Sequence, residues 1–194
     1  MTMFKLSALS FVALVMGFVS CKKEDQKKEV TPAVTKTDSI RASTTGNFAF
    51  YSFKDGKAIE VSDSATTKWD FGIRLATIIV NSHASGPGNV GVVTEKGIFD
   101  TYTVAPETGY AYDTTSSKLA INSGMTTGWF NYDHVTHSFS PKAGMFFVFK
   151  TTDNNYVKVE MLSARYEDFV GPMPTHIWHK FRFVYQPDGS REFK

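Results

Sequence analysis

Apolar and polar residues alternate along much of the chain after residue 46, which is the pattern of half-buried β-strands. The clearest alternation places four apolar residues on one face: Trp69, Phe71, Ile73 and Leu75. This pattern predicts one strand that continues into residues 78–80.

Further strands are predicted closer to the C-terminus. Residues 144–150 and 156–163 flank a turn-rich spacer of hairpin length, and residues 177–185 alternate before a Pro-Asp-Gly turn at 187–189. No segment keeps a 3.6-residue period. The sequence therefore predicts a single all-β domain over residues 46–194, built from antiparallel sheets with hairpin loops and little helix.

The first 20 residues predict an export signal. Lys5 precedes an apolar run at residues 6–19, which is too short for a comfortable transmembrane helix. Small residues then lead to Cys21, as in a lipobox, where the cysteine is acylated and becomes the new N-terminus. Phe18 stands where a lipobox usually has leucine. The alternative is a plain N-terminal anchor with an incidental cysteine.

Residues 21–45 predict a disordered tether, because they are polar and carry little to bury. The charged run at residues 22–29 is similar to the surface-export signals of Bacteroidetes lipoproteins, and an ordinary solvated linker is the alternative.

The net charge and the cysteine count exclude some functions and some kinds of cross-link. The net charge of +2 is spread along the chain, so nucleic acid is not expected as a partner. The single cysteine excludes an intrachain disulfide.

Catalytic motifs are absent from the sequence. It has no Gly-x-Ser-x-Gly, no phosphate-binding loop and no His-Glu-x-x-His, so an enzyme is not expected. Two His-x-x-His pairs occur, His134/His137 and His176/His179. The second pair lies on a predicted strand, where residues three apart point to opposite faces and do not share a metal.

Several short segments together resemble the HmuY family of haem-binding lipoproteins from Bacteroidetes. The segments lie in the same order and cover nearly all of the mature domain: Phe50-Tyr51-Ser52-Phe53, Lys68-Trp69-Asp70-Phe71-Gly72-Ile73-Arg74, Gly128-Trp129-Phe130-Asn131-Tyr132-Asp133-His134, Asn155-Tyr156-Val157-Lys158-Val159 and Tyr185-Gln186-Pro187-Asp188-Gly189-Ser190.

The resemblance implies an all-β fold that holds haem between loops and ligates its iron with two axial side chains. His134 falls where the family places one ligand histidine. The second ligand belongs to a hairpin that is shortened in this chain between Gly109 and Gly128 and contains no histidine. Met125 is the chemically reasonable substitute, with His137 and His83 as weaker candidates.

A haem site also needs aromatic walls, and Trp129 and Tyr132 supply them next to His134. Without the resemblance, the simpler interpretation is that these rings form hairpin core and that His134 is a loop histidine.

The sequence and the resemblance together predict a hemophore-like lipoprotein of the outer membrane, on its cell-surface or periplasmic face. It would capture haem for an outer-membrane TonB-dependent haem transporter. The alternative is a lipoprotein of the same fold that serves in glycan binding, adhesion or assembly without haem.

Overall fold

The computed structural model describes residues 31–167 and 174–194. In chain order, these residues form eleven strands: β1 (Val34–Ser43), β2 (Ala49–Ser52), β3 (Lys57–Ile59), β4 (Phe71–Arg74), β5 (Thr77–Val80), β6 (Gly91–Lys96), β7 (Phe130–Asp133), β8 (Ser138–Pro141), β9 (Met145–Lys150), β10 (Tyr156–Tyr166) and β11 (His176–Gln186). Two short 3-10 helices lie at Val61–Asp63 and Phe99–Thr101.

Two antiparallel sheets pack face to face. The larger has the order β1-β11-β10-β9-β6 and the smaller the order β3-β2-β4-β5, while β7 and β8 form a separate hairpin. Aromatic rings join the two sheets: Tyr51 of β2 meets Phe181 of β11 edge-on at 5.0 Å, and Phe71 of β4 meets Phe181 at 5.6 Å. The all-β prediction is confirmed.

The strand β1 corrects the predicted extent of the tether. Residues 34–43 pair along their whole length with β11, from Val34 opposite Tyr185 to Ser43 opposite His176, so a tether extending to residue 45 is wrong. Most of this strand is polar, and only Ile40 and Ala42 are buried in the core. Pairing with the neighbouring strand therefore orders a segment whose own side chains bury little apolar surface.

The predicted strand through residues 69–80 is also corrected. It divides into β4 and β5, which pair as a hairpin with Arg74 opposite Thr77. The chain reverses at Leu75 and Ala76, and Leu75 adopts a left-handed backbone with φ of 50°. An apolar residue in this conformation gives no turn signal in the sequence, because glycine and asparagine are the residues that usually mark such turns.

The other strand predictions are confirmed. The pair β9 and β10 forms a hairpin with Tyr156 opposite Lys150, and β11 alternates buried and less buried residues along its length. A bulge between Met161 and Ser163 shifts the register of β10 against β11.

The predicted signal at residues 1–20, the lipidation site Cys21 and residues 22–30 of the predicted tether lie outside the described residues. Within residues 31–167 and 174–194, no helix has the length and apolar character needed to cross a membrane.

A histidine lies inside the aromatic core. His179 of β11 is fully buried, with its ring 5.8 Å from Phe139 and 6.2 Å from Trp129. Neither ring nitrogen makes a hydrogen bond within the described part of the chain. The pKa of His179 is lowered to about 4, and burial is the largest cause. The backbone of Leu75 lies nearby and raises this pKa by a smaller amount, although it does not form a hydrogen bond with the ring.

This lowered pKa predicts a loss of stability in acid. The unfolded chain binds a proton at His179 below about pH 6.5 while the folded chain does not, so stability falls as the pH drops toward 4. We expect wild type to lose up to about 3 kcal/mol more than His179→Leu between pH 7 and pH 4, because leucine cannot titrate. Urea unfolding at several pH values measures this difference.

The matched control is His176→Leu on the same strand, where the imidazole is only half-buried. That variant keeps the buried imidazole of His179, so it should still lose stability as the pH drops toward 4. Equal slopes for wild type and His179→Leu would contradict the burial of a neutral imidazole.

Candidate functional site

The predicted haem residues cluster around the β7–β8 hairpin, which is anchored on the core at its base. Phe130 and Phe139 are buried, and their ring centroids lie 5.2 Å apart. Phe139 also meets Tyr166 at the end of β10 edge-on at 6.0 Å. The hairpin is therefore held against the end of the long β10 strand, and its tip points away from the core.

The tip is a four-residue loop, 134–137, ordered by one carboxylate. Asp133 Oδ1 accepts hydrogen bonds from the backbone N–H of Val135 at 2.7 Å and of Thr136 at 3.2 Å. These bonds, led by the one from Val135, lower the pKa of Asp133. His137 closes the loop with a left-handed backbone, φ 53°.

Two exposed imidazoles flank one tyrosine at this tip. The rings of Tyr132 and His134 meet edge-on with centroids 4.8 Å apart. The Tyr132 hydroxyl shares a hydrogen bond of 3.0 Å with Nδ1 of His137. No described residue forms a hydrogen bond with the ring nitrogens of His134. A ring nitrogen of His134 is therefore available to ligate an external metal ion.

Met125 lies at the other end of the hairpin. It is 54% exposed, in a turn closed by the hydrogen bond from Gly128 N–H to Gly124 C=O. The backbone N–H of Trp129 donates to the carbonyl of Asn122 just before β7 begins, so this turn projects beyond the base of the hairpin. The base and the tip are separated by three residue steps, or about 10 Å along a strand.

Trp129 is part of the core. Its ring is 2% exposed, and its indole N–H donates to the carbonyl of Ala76 at 2.9 Å. In this conformation the ring packs on Phe130, Phe139 and His179 rather than on an open surface. A role for Trp129 as a haem wall would require the core to open.

The remaining histidines lie elsewhere. His83 is exposed in the loop after β5, edge-on to Tyr112 at 5.5 Å. His176 is 4.0 Å from Glu167 at the start of β11. Among the described residues, no group of three or more His, Cys, Asp or Glu side chains is arranged to hold a metal ion. The hairpin tip therefore presents one accessible imidazole beside an aromatic ring, and the described residues do not place a second ligand opposite it.

Comparison with known proteins supports the fold. No family model and no curated protein matches the sequence. Among solved structures, the apo HmuY analogue of Tannerella forsythia superposes with a TM-score of 0.55 at 15% identity, covering 82% of this chain and 100% of that one.

Two further structures are similar at a lower level. A Bacteroides vulgatus protein described as HmuY-like and haem-binding has a TM-score of 0.47 at 17% identity, covering 78% of this chain and 93% of its own. A Bacteroides fragilis protein described as a lipoprotein has a TM-score of 0.49 at 11% identity, covering 78% and 92%. The chain has an HmuY-like fold.

The order of the tip depends on Asp133. Replacing it with alanine removes the acceptor for the Val135 and Thr136 amides, so we expect these two amides to exchange hydrogen faster. Hydrogen exchange followed by NMR measures this change. Asn131→Ala, an exposed substitution in the same strand, is the control and should leave both amides protected. Unchanged exchange in Asp133→Ala would contradict this account of the loop.

Proposed function

We propose that this protein is a cell-envelope lipoprotein that binds haem, with His134 as the iron ligand. The observation that carries the proposal is the exposed imidazole of His134 at a hairpin tip, with its ring nitrogens free of described partners and Tyr132 beside it. Neutral imidazole is a common haem ligand, and a neighbouring aromatic ring can contact the flat porphyrin. The HmuY-like fold supports the same function.

The geometry favours one protein ligand from the tip. Two axial ligands must approach the iron from opposite faces of the haem, so the porphyrin has to pass between them. His134 and His137 belong to the same four-residue loop, and His137 already bonds Tyr132 through Nδ1. Met125 lies beyond the opposite end of the hairpin and becomes a second ligand only if its turn moves.

This arrangement supports capture and transfer of haem. A single exposed ligand can take up haem and release it without opening the core. Lipidation at Cys21 would hold the domain on the outer membrane, where a TonB-dependent transporter could receive the haem. Because neutral imidazole is the ligating form, protonation of the ring would compete with haem.

Haem titration of the purified domain tests the proposal. We expect a saturable shift of the Soret band in wild type and at least about tenfold weaker binding in His134→Ala, since the iron loses its ligand. Met125→Leu should bind like wild type if one ligand suffices, and loss of affinity in that variant would show that the turn moves to ligate the iron.

The matched control is His83→Asn. His83 is also an exposed loop histidine set edge-on to a tyrosine, and asparagine tolerates its left-handed backbone, φ 45°. This variant should keep wild-type affinity. If wild type gives no spectral change, or if His134→Ala and His83→Asn behave alike, haem binding through His134 is wrong and a non-haem lipoprotein of this fold is the better assignment.

A further inference from the structure

A second concave site lies at one end of the sandwich. A cleft of about 270 Å³ shares Lys54, Asp55, Asp153 and Tyr185 with a wider groove of about 900 Å³. The lining of the smaller cleft is mostly polar and includes Ser52, Asp55, Asp70, Thr151, Asp153 and Tyr185. The sequence alone did not indicate a site at this end.

Asp70 is a buried carboxylic acid in this cleft. It is 8% exposed, and its Oδ2 accepts the Phe53 N–H at 2.7 Å. No described residue hydrogen-bonds its Oδ1. The other buried aspartate makes the contrast: Asp113 accepts one backbone N–H on each oxygen, from Val80 at 2.8 Å and Ala120 at 2.7 Å. Asp113 is therefore a satisfied structural carboxylate, whereas Asp70 lines the cleft and keeps one oxygen without a hydrogen-bond partner among the described residues.

The cleft has more carboxylate oxygens than cationic groups to pair with them. Lys54 pairs with Asp153 at 3.1 Å, and Lys68 pairs with Asp63 at 2.9 Å, outside the cleft. The carboxylate of Asp55 has no ion-pair partner among the described residues. Both lysines of the lining are thus engaged, while Asp55 and Oδ1 of Asp70 are free to accept. A ligand that complements this lining carries positive charge and N–H donors.

We propose that this cleft binds a primary ammonium group, with the Asp70 carboxylate as its buried acceptor and Asp55 at the rim. The ammonium group could belong to a free alkylamine or to a lysine side chain of a partner protein. An ammonium group offers three donors and fits a small polar cleft lined by carboxylate and hydroxyl oxygens.

The electrostatic environment of Asp70 predicts how binding depends on pH. The pKa of Asp70 is raised to about 7, and burial is the largest cause. The hydrogen bond from the Phe53 N–H opposes burial; the charges of Asp153 and Asp55 raise the pKa and that of Lys54 lowers it. Tyr185 also lines the cleft, with its hydroxyl accepting a hydrogen bond from Asn155 at 2.8 Å. Because the ligating form is the ionised carboxylate, affinity should increase as the pH rises through about 7.

This site is independent of the proposed haem site. The cleft lies where β10 begins, next to Asn155, whereas the β7–β8 hairpin contacts Tyr166 where β10 ends. Eleven residues of strand separate the two, or about 30 Å. Failure of one proposal therefore leaves the other standing.

An NMR titration tests the ammonium site in the folded domain. The Phe53 amide is the reporter, because it donates directly to Asp70. We expect n-butylammonium to shift this amide saturably at pH 7.5, and neutral n-butanol and tetramethylammonium, which has no N–H, to leave it unchanged. A blocked Gly-Lys-Gly peptide that binds more tightly than n-butylammonium would identify the lysine of a partner protein as the source, and equal or weaker binding would identify a free amine.

Variants separate Asp70 from a general charge effect. Asp70→Asn should weaken n-butylammonium binding about tenfold, because a charge-assisted hydrogen bond is lost. Asp55→Asn, at an exposed position, is the second variant if Asp70→Asn does not fold, and it should weaken binding by a smaller factor. Asp100→Asn makes the same charge change at an exposed carboxylate paired with Arg182 and should have no effect.

Three results would overturn the proposal. They are an equal response to n-butylammonium and n-butanol, wild-type affinity in both Asp70→Asn and Asp55→Asn, and equal weakening in Asp100→Asn. Haem titration of Asp70→Asn in parallel should match wild type, which keeps the two sites distinct.

Discussion

The contact between the two sheets through aromatic rings is the constraint on which the rest of this structure depends. Tyr51, Phe53 and Phe71 of one sheet region meet Phe149, Phe181 and Phe183 of the other at centroid distances of 5.0 to 6.3 Å. Such pairs add about 0.5–1.5 kcal/mol each beyond the burial of their area. With a single cysteine in the chain, no intrachain disulfide can replace them. The rings fix the spacing of the sheets.

Both candidate sites follow from this division between core and ends. The paired strands β10 and β11 are eleven residues long each, and they carry the hairpin at one end and the polar cleft at the other. At the hairpin end, Phe139 and Trp129 pack against the buried His179, and this contact holds the base of the hairpin that carries His134 on the core. At the cleft end, Phe53 supplies the core ring and also the N–H that holds Asp70. Core residues thus position both sites.

The sequence predicts those elements whose apolar residues fall on one face between recognisable turns. The β9–β10 hairpin and β11 meet this condition, and their predictions are confirmed. The strand β1 does not, because its polar residues are ordered by pairing with β11 rather than by burial. The reversal at Leu75 has no glycine or asparagine to mark it. The sequence did not predict the cleft for a similar reason. Trp69 and Asp70 are adjacent and both buried, which breaks the alternation of buried and exposed residues from which strands are predicted.

The candidate haem residues show why neighbours in sequence need not form one site. Met125, Trp129, Tyr132 and His134 lie within ten residues, yet only Tyr132 belongs to β7, while Met125 and Trp129 precede this strand and His134 follows it. Trp129 is drawn into the core at the base by its contacts with Phe130 and Phe139, and Met125 is carried beyond the base by the turn that Gly128 closes. Only Tyr132 and His134 remain together at the exposed tip, joined by His137. The tip therefore presents the His134 imidazole beside Tyr132. If haem binds there as proposed, a second axial ligand would come from a turn that changes position or from outside this chain.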